Sequence, residues 1–125
     1  MKEKTIVIGG GVGPMAGVAL HQKIIEHTLT DGSDQTHLSV HHFSRSAAIG
    51  DRTAYLLGKS ATNPAAGMAA VMRAAVASLG LFGQQAVAGI PCNTFHAPEI
   101  FDPFLELLRR ADIDLPVLHM LAETA

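Results

Sequence analysis

The 125 residues amount to 13.1 kDa, room for one domain with a core of its own and too little for two ordinary domains. Apolar residues make up 48% and charged residues 16%, which excludes a highly charged disordered chain. A net charge of −2 shows none of the basic excess expected of a partner for nucleic acid or an anionic membrane.

In chain order, Thr5 to Ile8 is a β-branched run closed by Gly9-Gly10-Gly11, and it predicts a buried parallel strand. The apolar run at this end is far too short for a signal peptide or a membrane span. Pro14 to Leu29 predicts a helix, with Pro14 at its first position and Leu20, Ile24, Ile25 and Leu29 at helical spacing. Asp31-Gly32-Ser33-Asp34 is a turn, and a second strand is expected from Leu38 to Phe43. Asp51 suits the cap of a short helix that ends near Leu57. Asn63 caps and Pro64 opens a longer, Ala/Gly-rich helix to Leu79, with Gly80 expected just past its end. This is the only longer apolar region, and Arg73 interrupts it. Gln85 to Ile90 is the third strand. Over 98–110, Pro103 predicts a short turn followed by a helix from about Asp102. Leu115 to Met120 is the fourth strand, and Ala122 to Ala125 resembles the first turn of a further helix.

The order β-α-β-α-α-β-α-β predicts an α/β fold, a four-stranded parallel sheet flanked by helices on both faces. With no internal repeat or linker, residues 1–125 are expected to form a single α/β domain. Its last residues read as the start of a helix, as though it were part of a longer fold. A cytoplasmic location is expected.

Three motifs follow predicted strands. Gly11-x-Gly13-x-x-Ala16 sits between a strand and a helix, where loop N–H groups and the helix N-terminus can hold a phosphate or a carboxylate. A plain tight turn would look the same. The second strand ends in Phe43-Ser44-Arg45, without the acid that a dinucleotide site places there. In Asp51-Arg52-Thr53, Arg52 is either a bidentate carboxylate ligand or a solvated residue behind a capping Asp. Pro91-Cys92-Asn93-Thr94 puts the only cysteine at the carboxyl end of a strand, beside amide and hydroxyl donors. There a thiol can serve as base or nucleophile, whereas elsewhere a lone cysteine is a small core residue. One cysteine also excludes an intramolecular disulfide framework and a cysteine-rich zinc site. Adjacent His41 and His42 must point to opposite faces of a strand, so they cannot share an ion, and no metal site is expected. His96 and His119 fall on the motif edge, where either can tune the thiol.

Taken together, the glycine block, Asp51-Arg52-Thr53, Pro91-Cys92-Asn93-Thr94-Phe95-His96 and Pro116-Val117-Leu118-His119-Met120 resemble, in order and spacing, the N-terminal half of the aspartate/glutamate racemase family. The resemblance implies a cofactor-independent amino-acid racemase built of two pseudo-symmetric α/β domains, with the substrate between them and one cysteine from each. It implies Cys92 as the acid/base of this domain, Arg52 and Thr53 with Asn93 and Thr94 as substrate-binding residues, and the Gly11–Gly13 loop as a holder of carboxylate. The chain departs from the family at Arg45-Ser46, where members commonly carry Asn-Pro, and at Gly50, where they commonly carry Pro. Racemisation needs an acid/base on each face of the α-carbon, and this sequence supplies one thiol. The other is expected from a missing C-terminal domain or a partner chain; without that domain the apolar surface it would cover is exposed, so a homo-oligomer is expected, with an amino acid or small dicarboxylate as ligand. The other readings are a single-cysteine decarboxylase or isomerase of dicarboxylates, a nucleotide-binding module, and a non-catalytic remnant.

Overall fold

β-Branched Thr5, Ile6, Val7 and Ile8 form the middle of β1 (Lys4–Gly10) in a computed structural model that describes residues 4–83 and 85–119. β1 is the central strand of a three-stranded parallel sheet of order β2-β1-β3, with β2 at Ser39–Ser44 and β3 at Gln85–Gly89. Ile8 lies opposite His42 on one side and Gly89 on the other.

Among the described residues the expected fourth strand corrects to three strands and a single bridge. Ala88 donates to the Pro116 carbonyl at 2.8 Å, and Leu118 donates to the Ala88 carbonyl at 2.9 Å, framing one parallel bridge at Val117. Pro116 has no N–H to extend a ladder, which limits pairing here. Met120 and the turn expected over Ala122–Ala125 lie outside the described residues.

Helices cover both faces: α1 (Pro14–His27), α2 (Arg52–Leu56), α3 (Pro64–Phe82) and α4 (Pro98–Arg110). Side chains alternate along a strand, and β1 shows which helix lies where. A Cβ on Gly9 would come within 2.6 Å of Met72 of α3, whereas one on Gly10 would come within 2.6 Å of His42 Nε2. Gly17 of α1 approaches the same imidazole, so α1 packs on the face opposite α3. The adjacent histidines divide in the same way. His41 Nδ1 meets Ser78 Oγ of α3 at 2.8 Å, and His42 Nδ1 meets His21 Nδ1 of α1 at 3.3 Å.

The core lies on the α3 face. Met68, Met72, Phe95, Ile100 and Phe104 are fully buried there, where α3 meets α4. Among the described residues α3 is the one helix long and apolar enough to cross a membrane, by length and composition, but its Met68, Val71, Met72, Ala75 and Leu79 are buried in this core. Gly67 lets α3 approach the Ala48 carbonyl, which any Cβ at that position would strike. α3 is three residues longer than the sequence predicts. Gly80 is a helical residue, and Gly83, at φ 62°, takes the left-handed C-cap with its N–H on the Leu79 carbonyl.

α4 starts at Pro98 and continues through Pro103 without the expected turn. Pro103 leaves the Glu99 carbonyl without its helical donor. Asn63 provides a substitute: its Nδ2 donates to that carbonyl at 3.3 Å and to the Tyr55 hydroxyl at 3.1 Å. Its Oδ1 accepts from Ala65 N–H at 2.9 Å as the N-cap of α3. One side chain thus joins α2, α3 and α4.

Candidate functional site

α1 connects β1 to β2 on one side, while the chain after β2 returns past β1 to β3 on the other. The loops after β1 and β3 therefore part at the carboxyl edge, the place where open α/β sheets bind ligands.

After β1, Gly11 and Gly13 both take positive φ, 83° and 80°. At Gly11 a Cβ would sit 2.7 Å from the Arg45 amide nitrogen, so glycine is required on steric as well as conformational grounds. The loop thus packs on Arg45-Ser46, which follow β2. Gly13 is exposed with open space around it, and as N-cap of α1 its carbonyl accepts from Ala16 N–H at 2.9 Å.

After β2, Asp51 caps α2 by accepting from Ala54 N–H at 2.9 Å, as its position in the sequence predicts. This cap fixes Arg52 as the first residue of α2. Arg52 is half-buried, its Nη1 donates weakly to the Gly50 carbonyl at 3.4 Å, and its buried Nε has no hydrogen-bond partner among the described residues. A buried guanidinium N–H without an acceptor favours an incoming anion. Thr53 is exposed on the same short helix. α2 lies against the 3-10 turn Thr94–His96, which brings Arg52's helix to the cysteine loop.

After β3, Cys92 N–H turns back to the Ile90 carbonyl at 2.9 Å, and the half-buried Cys92 Sγ lies 3.2 Å from Thr94 Oγ1. Asn93 and Thr94 are exposed, and the Asn93 carbonyl accepts from His96 N–H at 3.1 Å. His96 is 1% exposed and stacks on Phe101 with ring centroids 4.8 Å apart. His96 Nδ1 meets the Cys92 carbonyl at 2.8 Å. A carbonyl only accepts, so Nδ1 carries the proton and the imidazole holds the cysteine's backbone. Burial pushes the His96 imidazole below the usual histidine range; the Cys92 carbonyl opposes this, His119 adds to it, and the Leu118 backbone opposes it. His119 stands 5.0 Å from His96 and 4.8 Å from Phe101, ring to ring.

The structure therefore gathers Cys92, Thr94, His96 and His119 with Phe101, with α2 alongside, and pairs the glycine loop with Arg45-Ser46. Sequence reasoning missed Phe101, whose ring is indistinguishable in pattern from its neighbours on the apolar side of α4. It also missed the His21–His42 contact, which needs the helix-to-sheet register. Among the described residues no three His, Cys, Asp or Glu side chains converge as a metal site would require.

No protein-family model matches the chain. Among solved structures the fold is similar to the crystal structure of an aspartate racemase homologue from Pyrococcus horikoshii OT3, with a TM-score of 0.52 and 18% sequence identity. The likeness covers 94% of this chain and 44% of that one, so the chain spans less than half the length of this neighbour. At that identity the shared property is the fold: a racemase-like α/β domain.

Proposed function

We propose that this chain is the N-terminal domain of a cofactor-independent amino-acid racemase of the aspartate/glutamate kind, supplying Cys92 as the acid/base on one face of the α-carbon. The observation that carries the reading is the position of the one thiol in the sequence. It stands at the carboxyl edge beside the Thr94 hydroxyl, on a backbone held by His96. In the racemase reading the Cys92 thiolate takes the α-proton and becomes a thiol. The electron pair left on the α-carbon spreads into the adjacent carboxylate, where Arg52 and loop N–H groups stabilise the added charge. Arg52, with its unpaired buried Nε, binds one carboxylate, and the Gly11–Gly13 loop at the start of α1 holds another. Asn93, Thr94 and Thr53 orient the amino acid, and His119 with His96 backs the thiol loop. A second acid, outside these 125 residues, returns a proton to the opposite face. The reading makes the partner a small amino acid or dicarboxylate and the location cytoplasmic.

Alkylation of Cys92 by iodoacetamide tests the reading. Aspartate or glutamate should slow it in a saturable manner, while alanine and NAD should not. Equal rates with and without the dicarboxylic amino acids would remove the assignment. Protection by maleate, but by neither amino acid, would favour a dicarboxylate isomerase or decarboxylase.

A further inference from the structure

α2 carries Arg52 but is too short to hold it unaided. Its five residues make little more than one turn, and a helix of that length does not persist in water without support. Tyr55 supplies part of that support. It stands three residues after Arg52, a neighbouring position on the same helix, and its half-buried ring packs against the core together with Leu56. Its hydroxyl accepts from Asn63 Nδ2 at 3.1 Å.

Asn63 is itself fixed from two sides. Its Oδ1 caps α3 on the Ala65 N–H, which settles which end of the amide faces α2. The amide nitrogen then has two N–H groups, one for the Tyr55 hydroxyl and one for the Glu99 carbonyl at 3.3 Å. That carbonyl is open because its helical donor would be residue 103, a proline. Pro103 and Asn63 line the same cleft. Glu99 lies in the first turn of α4, which follows closely on the Thr94–His96 turn of the cysteine loop. A proline inside a helix is unfavourable, and such local exceptions are expected where a function needs them.

We infer that Asn63 and Tyr55 are positioning residues of the proposed site. The Asn63 amide, docked on the carbonyl that Pro103 leaves open, holds Tyr55 and so sets the helix of Arg52 against the loop of Cys92. Both residues act through Arg52 rather than on the substrate. In the racemase reading, on which this role rests, Arg52 binds a carboxylate beside the thiol.

Protection of Cys92 from iodoacetamide by aspartate tests this role, each variant being compared with its own rate without aspartate. Tyr55→Phe keeps the ring and removes the hydroxyl. Asn63→Ser keeps an N-cap for α3 and removes the amide. Each should raise the aspartate concentration for half-protection about fivefold, the scale of one net hydrogen bond. In an Arg52→Lys background, Tyr55→Phe should add less than about a further twofold, because both changes weaken the same contact. Half-protection unchanged in Tyr55→Phe would overturn the inference and leave the racemase reading standing. A full further loss of about fivefold on Arg52→Lys would do the same, since it would show an effect independent of Arg52. Aspartate that fails to protect the unmutated chain would remove the racemase reading, and the inference with it.

Discussion

Replacing His96 with Phe separates what this buried imidazole does for the fold from what its charge state costs. Phe keeps a ring on Phe101, where the centroids are now 4.8 Å apart, but it removes the 2.8 Å bond from Nδ1 to the Cys92 carbonyl. A net hydrogen bond contributes about 0.5–1.5 kcal/mol, and leaving its acceptor unpaired adds to the loss. The expected destabilisation near pH 7.5 is therefore about 1–2 kcal/mol, on the scale of that bond and its orphaned acceptor. The pH dependence carries the sharper expectation. Burial lowers the His96 pKa in the folded protein, with the Cys92 carbonyl opposing, so the unfolded chain binds the proton more readily. The stabilising contribution of neutral His96 is complete above the unfolded value of about 6.5 and is lost as pH falls toward the lower folded value. Below pH 6.5 the wild type should lose up to about 1.4 kcal/mol per pH unit through this one proton, and the Phe variant should not. His42 is shifted the same way, by burial and then by His21, but it is common to both proteins. Glu106, held at about 2 by Arg109 and then Arg110, titrates in a separate and more acidic window. Urea unfolding at pH 7.5, 6.5 and 5.5 should show the gap between the two proteins narrowing on acidification. A gap that is constant or widens would refute the account of His96 as a buried neutral donor.

Gly67→Ala should destabilise by about 3 kcal/mol in thermal or urea unfolding, because its Cβ meets the Ala48 carbonyl rather than a yielding side chain. Asn63→Ala should cost about 2 kcal/mol by losing both a cap and the donor to Glu99, and Asn63→Asp should cost less because it keeps the cap on Ala65. Arg52→Lys should leave unfolding nearly unchanged but weaken aspartate protection of Cys92 at least tenfold, since a lysine ammonium cannot form the bidentate pair.

Where local chemistry decides the structure, the sequence is legible. Asp51 and Asn63 are caps because their short side chains reach the next turn's N–H groups, and the glycines after β1 take the positive φ that their position calls for. The period of two also separates His41 from His42 correctly. The misses arise where distant contacts override local signals. Pro103 ought to interrupt α4, yet Asn63, far away in sequence, supplies a donor for the carbonyl that the proline strands. Gly80 is read as a stop because glycine favours helix ends, but α3 continues to Gly83. The apolar pattern at Leu115–Met120 looks like a strand, and Pro116 confines its pairing to one bridge within the described residues. At the candidate site, the sequence shows which groups follow strands. The clasp of His96 on the Cys92 backbone, and the unpaired Nε of Arg52, emerge only once the loops are packed.

Proton exchange at the α-carbon measures the proposed chemistry most directly. Aspartate and glutamate, each enantiomer separately, are incubated with the chain in deuterated water and followed by NMR and chiral chromatography. With one acid/base on one face, the chain should exchange the α-proton slowly with retention of configuration and produce little or none of the other enantiomer. Cys92→Ser should abolish the exchange, because a serine hydroxyl is far less acidic than a thiol. Exchange undiminished in Cys92→Ser would contradict the assignment of Cys92, and rapid racemisation by the chain alone would contradict the need for a second acid.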